Sequence, residues 1–220
     1  MVRVKKGDFV ELDYVGRIKG SNQIFDLTDE SLAKKNGLYN PNMKYGPRIA
    51  CIGEGDLIKG LDNYLIDKET GKNYNIEVGK KEAFGERDSK MMRVVSSSIF
   101  LREKINPFPG LQVNIDGMFG TIRSISGGRV VVDFNHPLAG KDLIYDVKIN
   151  RIIDDNILKI SSILLNGIGL DENDYKIEEK AGRIDIKLKK DIDENVKEKI
   201  KKAVKELVKI DISFSLLQSK

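Results

Sequence analysis

The sequence predicts an α+β protein with more than one core, on three observations. Two stretches with the period-two alternation of half-buried strands, 8–18 and 143–152, flank a single short helical stripe. Between that stripe and the second strand, residues 87–131 are rich in short β runs separated by glycine turns. After Asp154 the order of patterns becomes α-β-β-α-β. With 220 residues, 40% of them apolar, the chain has enough material for more than one core.

Taken in order, Val10, Leu12, Tyr14, Gly16 and Ile18 alternate with Glu11, Asp13 and Arg17, so one face of the first strand is buried and Tyr14 shares it. Residues 20–47 carry scattered Gly, Pro, Asn and Asp and read as a long irregular connection with one helical turn near 30–35. Connections of that length are usually functional. Arg48 to Ile52 is a short apolar strand, followed by the glycine turn Gly53-Glu54-Gly55-Asp56. Leu57, Ile58, Leu61, Tyr64 and Leu65 then have helical spacing, with Asp56 as the predicted N-cap.

Asn73 to Val78 returns as a strand. In the β-rich segment, strands are predicted at 113–115, 118–125 and 129–132. Beyond 154, a helix over 157–165 precedes a hairpin of 175–179 and 183–188 around Ala181-Gly182. Val196, Ile200, Ala203, Val204, Leu207 and Val208 make one stripe of a second helix, and 210–216 alternates as a last strand. The predicted domains are 1–86 plus 132–153, 87–131, and 154–220.

Composition narrows the chemistry. Lys+Arg 38 against Asp+Glu 34 gives a net charge of +4, spread as 24 basic and 21 acidic side chains over 1–154 and 14 and 13 over 155–220. No concentrated basic stripe marks a nucleic-acid binder. An RNA- or ribosome-associated reading rests only on the insert, where Arg87, Lys90, Arg93, Arg102, Lys104, Arg123 and Arg129 outnumber the acids. No run approaches the roughly 18 apolar residues of a membrane span. The single cysteine, Cys51, is compatible with a reducing, cytoplasmic compartment. One His and one Cys supply no metal site, and neither metal nor cofactor is expected. His136, in Asn-His-Pro-Leu-Ala-Gly, reads as a turn histidine bonded to backbone, and Cys51, in an apolar run, as an inert thiol.

Five blocks carry a more specific signal: Leu12-Asp13-Tyr14-Val15-Gly16-Arg17, Ile24-Phe25-Asp26, 52–61 with Gly53-Glu54-Gly55-Asp56-Leu57-Ile58, Glu82-Ala83-Phe84-Gly85, and 135–147 from Asn135-His136-Pro137 to Tyr145-Asp146-Val147. Their order and spacing, over about 150 residues, resemble FKBP-type peptidyl-prolyl isomerases. The SlyD-like branch is the more similar, because the Asn-His-Pro-Leu-Ala-Gly run directly follows an inserted β module. Archaeal long-type members add a C-terminal domain as well.

The resemblance implies an FKBP-like antiparallel sheet wrapped on a short helix, with an inserted small β domain and a C-terminal α+β domain. It implies a rotamase acting on unfolded or proline-containing polypeptides, with an apolar cleft mapped onto Tyr14, Phe25, Asp26, Leu57, Ile58, Leu61, Phe84 and Tyr145. Tyr14, Asp26, Phe84 and Tyr145 are the catalytic candidates. Tyr14 and Asp26 would orient the twisted carbonyl or a supporting Arg, and the phenol of Tyr145 or of Tyr14 would bond peptide backbone. Leu61 stands where many eukaryotic members carry Trp. The insert, with Met91, Met92 and Phe100, is expected to hold unfolded segments. A homodimer through 210–216 and a monomeric appendage are both open readings of the C-terminal unit, and a holding chaperone without isomerase activity is the alternative for the whole chain.

Overall fold

The computed structural model describes residues 2–180 and 183–217. β1 (Phe9–Ile18) buries its even-numbered residues, as the alternation requires, and its two halves pair with different strands. Phe9–Leu12 lie antiparallel to β3 (Arg48–Cys51), and Val15–Arg17 to β2 (Ile24–Leu27), with a register shift between Gly16 and Arg17. On its other side β1 meets β9 (Leu143–Ile152), which in turn pairs with β4 (Asn73–Val78). Between β2 and β3 stands the expected turn of helix, α1 (Glu30–Lys35), capped by the Asp29 side chain, which accepts from Leu32 N. The sequence predicted no β2: its four residues sit in a glycine- and asparagine-rich stretch, and only Leu27 is fully buried.

α2 (Lys59–Leu65) is the short helix that follows β3, and Leu61, Asp62 and Leu65 are its buried positions. Its N-cap is Ile58, which makes no side-chain cap bond, so the expected capping by Asp56 is corrected. Asp56 Oδ2 instead accepts from Cys51 N at 2.8 Å and from Asn166 Nδ2 at 3.1 Å. The turn before α2 is fixed from the helix side, since Gly53 N donates to the buried Asp62 carboxylate at 2.8 Å.

The C-terminal residues form α4 (Asn156–Ile168), the antiparallel pair β10 (Tyr175–Lys180) and β11 (Arg183–Leu188), α5 (Glu194–Leu207) and β12 (Ile212–Leu216). β12 lies parallel to β11, so α5 is a crossover helix between neighbouring strands. The predicted hairpin turn, Ala181-Gly182, lies outside the described residues. Ile160, Leu164, Ile184, Ile186, Ile200 and Val204 share one apolar core with Phe9, Cys51 and Ile153, so 154–220 is packed onto the β1–β3 end of the first sheet. Residues 1–77 and 144–220 accordingly make one compact unit, and 78–143 another.

The second unit is a four-stranded antiparallel sheet in the order β5 (Met92–Ser96), β8 (Arg129–Asp133), β7 (Met118–Ser126), β6 (Gln112–Ile115), with α3 (Ser97–Arg102) after β5. Its core is Phe100, Val113, Ile122, Val130, Val132 and Phe134. Asp133, 2% exposed, is paired with Arg87 and with Arg123 at 3.0 Å, and it also accepts from Asn135 N. A buried carboxylate needs such partners. Arg93 lies over the Phe134 ring, so Arg87, Arg93 and Arg123 serve the fold of this unit. Among the described residues, no helix is long and apolar enough to cross a membrane.

Candidate active site

The register of β1 builds the site. Arg48 is the cross-strand partner of Leu12 and Asp26 that of Gly16, so both side chains leave the sheet on the face that carries Leu12, Tyr14 and Gly16. There the Tyr14 hydroxyl donates to Asp26 Oδ2 at 3.0 Å. Tyr145, from β9, packs edge-on against Tyr14, ring centroids 6.0 Å apart, and against Phe25, at 5.7 Å. Four of the predicted side chains, Tyr14, Phe25, Asp26 and Tyr145, thus converge from three strands.

Burial pushes the Tyr14 phenol above its ordinary value and the Asp26 carboxylate adds to this, while the Arg48 guanidinium acts the other way. The same groups act on Tyr145, where burial again dominates and the shift is larger. Both phenols therefore stay protonated as donors. Tyr14 spends its proton on Asp26. Tyr145 makes no side-chain hydrogen bond among the described residues.

Leu57 and Ile58 are half-buried at the entry to α2, and Leu61 is buried within it. Phe84 belongs to the second unit, where its half-buried ring stacks face to face on His136, centroids 4.3 Å apart and 2° from parallel. His136 Nδ1 accepts from Leu138 N at 3.1 Å, which makes it the backbone-bonded turn histidine its sequence context predicts. Burial pushes the Cys51 thiol up to about 12, with the Asp56 and Glu54 carboxylates acting in the same direction, so it carries no thiolate for nucleophilic chemistry.

Of the candidates in the insert, Met92 is exposed and Met91 packs half-buried against the core. Phe100 corrects the expectation that it meets substrate. It is the buried position of the two-turn α3, 2% exposed, and fills the insert's interior.

Comparison with known proteins places this arrangement in a family. The short-type peptidyl-prolyl cis-trans isomerase of Methanocaldococcus jannaschii is 30% identical over 149 residues, which are 68% of this chain and 94% of that protein. The FKBP-type 16 kDa peptidyl-prolyl cis-trans isomerase of Escherichia coli is 31% identical over 111 residues, 48% of this chain and 74% of the relative. This chain belongs to the FKBP-type peptidyl-prolyl cis-trans isomerases. The family described as FKBP26, IF domain, matches residues 93–138. Escherichia coli SlyD is 31% identical over 108 residues, 46% of this chain and 53% of its own length.

Two residues of this candidate site escaped the sequence reading. Arg48 gave no local signal, because its place beside Tyr14 and Asp26 follows from pairing opposite Leu12. Gly16 appeared only as part of a motif. A Cβ on it would stand 2.7 Å from Phe25 Cζ and 3.0 Å from Tyr145 Cε1, so the absent side chain is what lets the two rings close over the strand. Gly16→Ala is expected to displace Phe25, to cost about 1 kcal/mol of stability as one overpacked methyl, and to lower turnover of a proline peptide several-fold. Thermal melting and a peptide isomerisation assay check both effects, and an unchanged turnover would count against Phe25 as a wall of the site.

Proposed function

We propose that this FKBP-type isomerase accelerates proline-limited folding of polypeptides at the Tyr14–Phe25–Asp26–Tyr145 cluster, with its insert holding unfolded segments of the same client. The X–Pro bond is kept planar by amide resonance behind a barrier of about 18–20 kcal/mol. Rotation breaks no covalent bond, so no nucleophile is needed, and neither Cys51 nor His136 has a part in it. At the twisted geometry the nitrogen becomes pyramidal and the amide loses its charge separation. A dry aromatic wall therefore favours that state over the hydrated planar one.

The convergence of two phenols, one phenyl ring and one carboxylate at a single face of β1 carries this reading. Phe25 and Tyr145 supply the walls, with Leu57, Ile58 and Leu61 as the aliphatic side. The Tyr14–Asp26 bond fixes one phenol and leaves the Tyr145 hydroxyl as the donor for peptide backbone. The holding role rests on exposed apolar side chains of the insert: Phe119 is 78% exposed, Leu101 69% and Phe108 55%. Exposed apolar side chains that gather in one patch mark a binding surface. The buried thiol of Cys51 is at ease in a reducing compartment such as the cytoplasm.

The test is the refolding rate of a protein limited by proline isomerisation, with and without catalytic amounts of this chain. Uncatalysed isomerisation takes tens to hundreds of seconds. A rate unchanged by the added protein would leave the holding reading in place of the enzymatic one.

A further inference from the structure

α4 belongs to the C-terminal segment, yet one of its side chains reaches the isomerase strands. Asn166 Nδ2 donates to Ile49 O at 3.0 Å and to Asp56 Oδ2 at 3.1 Å, while its Oδ1 faces Arg48 Nη2 at 3.4 Å. Arg48 Nη2 also lies 3.5 Å from the Asp56 carbonyl. The amide of Asn166 therefore bridges β3 to the turn that ends in Leu57 and Ile58, and it satisfies a carbonyl, a carboxylate and a guanidinium at once. Ile160 and Leu164 lie in the shared core and Leu158 and Ile163 pack against it, so the helix that carries the amide is itself anchored. Arg48 in turn stands on the face of Tyr14 and Asp26, within electrostatic reach of the Tyr14 phenol.

We propose that Asn166 is a positioning residue for the isomerase site: its side-chain amide holds Arg48 and the turn before Leu57, and through Arg48 it keeps Tyr14 and Asp26 in their working arrangement. The C-terminal segment thus completes the site from behind. A long, flexible arginine beside a phenol has several rotamers open to it, and two acceptors at 3.4 and 3.5 Å select among them. Without the amide, Asp56 loses one of its donors, and the 52–58 turn loses its tie to α4.

The inference rests on the isomerase reading above, and the experiment separates the two. Three proteins are compared with the parent: Asn166→Ala, Arg48→Ala and the double variant. Ile160→Val, in the same helix and buried in the same core, controls for lost stability. Asn166→Ala is expected to lower kcat on a proline peptide about tenfold, roughly what one hydrogen bond to a charged group is worth, with KM within about twofold. The loss should vanish in the Arg48→Ala background, because the two residues act in series. The Arg48 Nε–H signal in the NMR spectrum should broaden or exchange faster in Asn166→Ala and stay put in Ile160→Val. An Asn166→Ala loss no larger than that of Ile160→Val, additivity with Arg48→Ala, or an unmoved Arg48 signal would overturn the proposal. If the parent itself fails to isomerise the peptide, the functional reading falls, and the Arg48 signal alone still decides whether Asn166 positions that side chain.

Discussion

Asp26→Ala should lower kcat/KM on a short proline peptide roughly 10- to 100-fold, the rate equivalent of losing a hydrogen bond to a charged group. The carboxylate accepts the Tyr14 hydroxyl at 3.0 Å and acts on that phenol against the Arg48 charge, so its removal frees the phenol and leaves the guanidinium unopposed there. Asp26→Asn separates the two consequences. The amide oxygen still accepts from Tyr14, and only the negative charge is lost. Its turnover is expected between those of the parent and of Asp26→Ala. Both phenols should ionise at lower pH than in the parent in an ultraviolet titration of either variant, since the Asp26 charge raises Tyr14 and Tyr145 alike. An Asp26→Ala protein that isomerises the peptide at the parent rate removes Asp26 from the mechanism.

The second large effect is expected on whole proteins rather than peptides. Replacing Leu101, Phe108 and Phe119 together by serine removes three apolar side chains that are more than half exposed in the folded insert. None of the three belongs to its buried core, so the domain should keep its stability. On the proposed holding role, each large apolar side chain buried against a client would contribute about 1.5 kcal/mol or more, and holding would raise the client's effective concentration at the site. Refolding of a proline-limited protein should therefore slow about 100-fold in catalytic efficiency, with turnover of a short peptide within about twofold of the parent. Equal losses in the two assays would sink the division of labour, because a peptide too short to span insert and site gains nothing from being held.

How far the sequence revealed this arrangement depended on the range of each signal. β1 and β9 were legible because alternation is local: every second residue of β1 is buried. α5 was legible from its apolar stripe, and α1 from its turn of helix within a long connection. β5 and α3 were not. β5 is an edge strand with only Val95 half-buried, and α3 has only Phe100 facing inward, so neither shows a period. Phe100, expected to meet unfolded segments, fills the interior instead. Tyr14, Phe25, Asp26 and Tyr145 were found through family resemblance, and their convergence depends on the pairing of β1 with β2 and β9. The role of Asp56 was misread for a related reason. A cap is predicted from the next three residues, but its carboxylate is claimed by Cys51 and by Asn166, 110 positions away.

The place of β9 between β1 and β4 has a consequence for how this molecule is made. β1 meets β2 and β3 soon after it is made, but its other edge stays open until residue 152 has been synthesised, and the floor beneath Phe9 and Cys51 is not laid until α5 has followed. Loop closure over so long a span is slow. The strand that carries Tyr14 therefore stays open along one edge, and unsupported at the Phe9 end, until synthesis has passed Leu207.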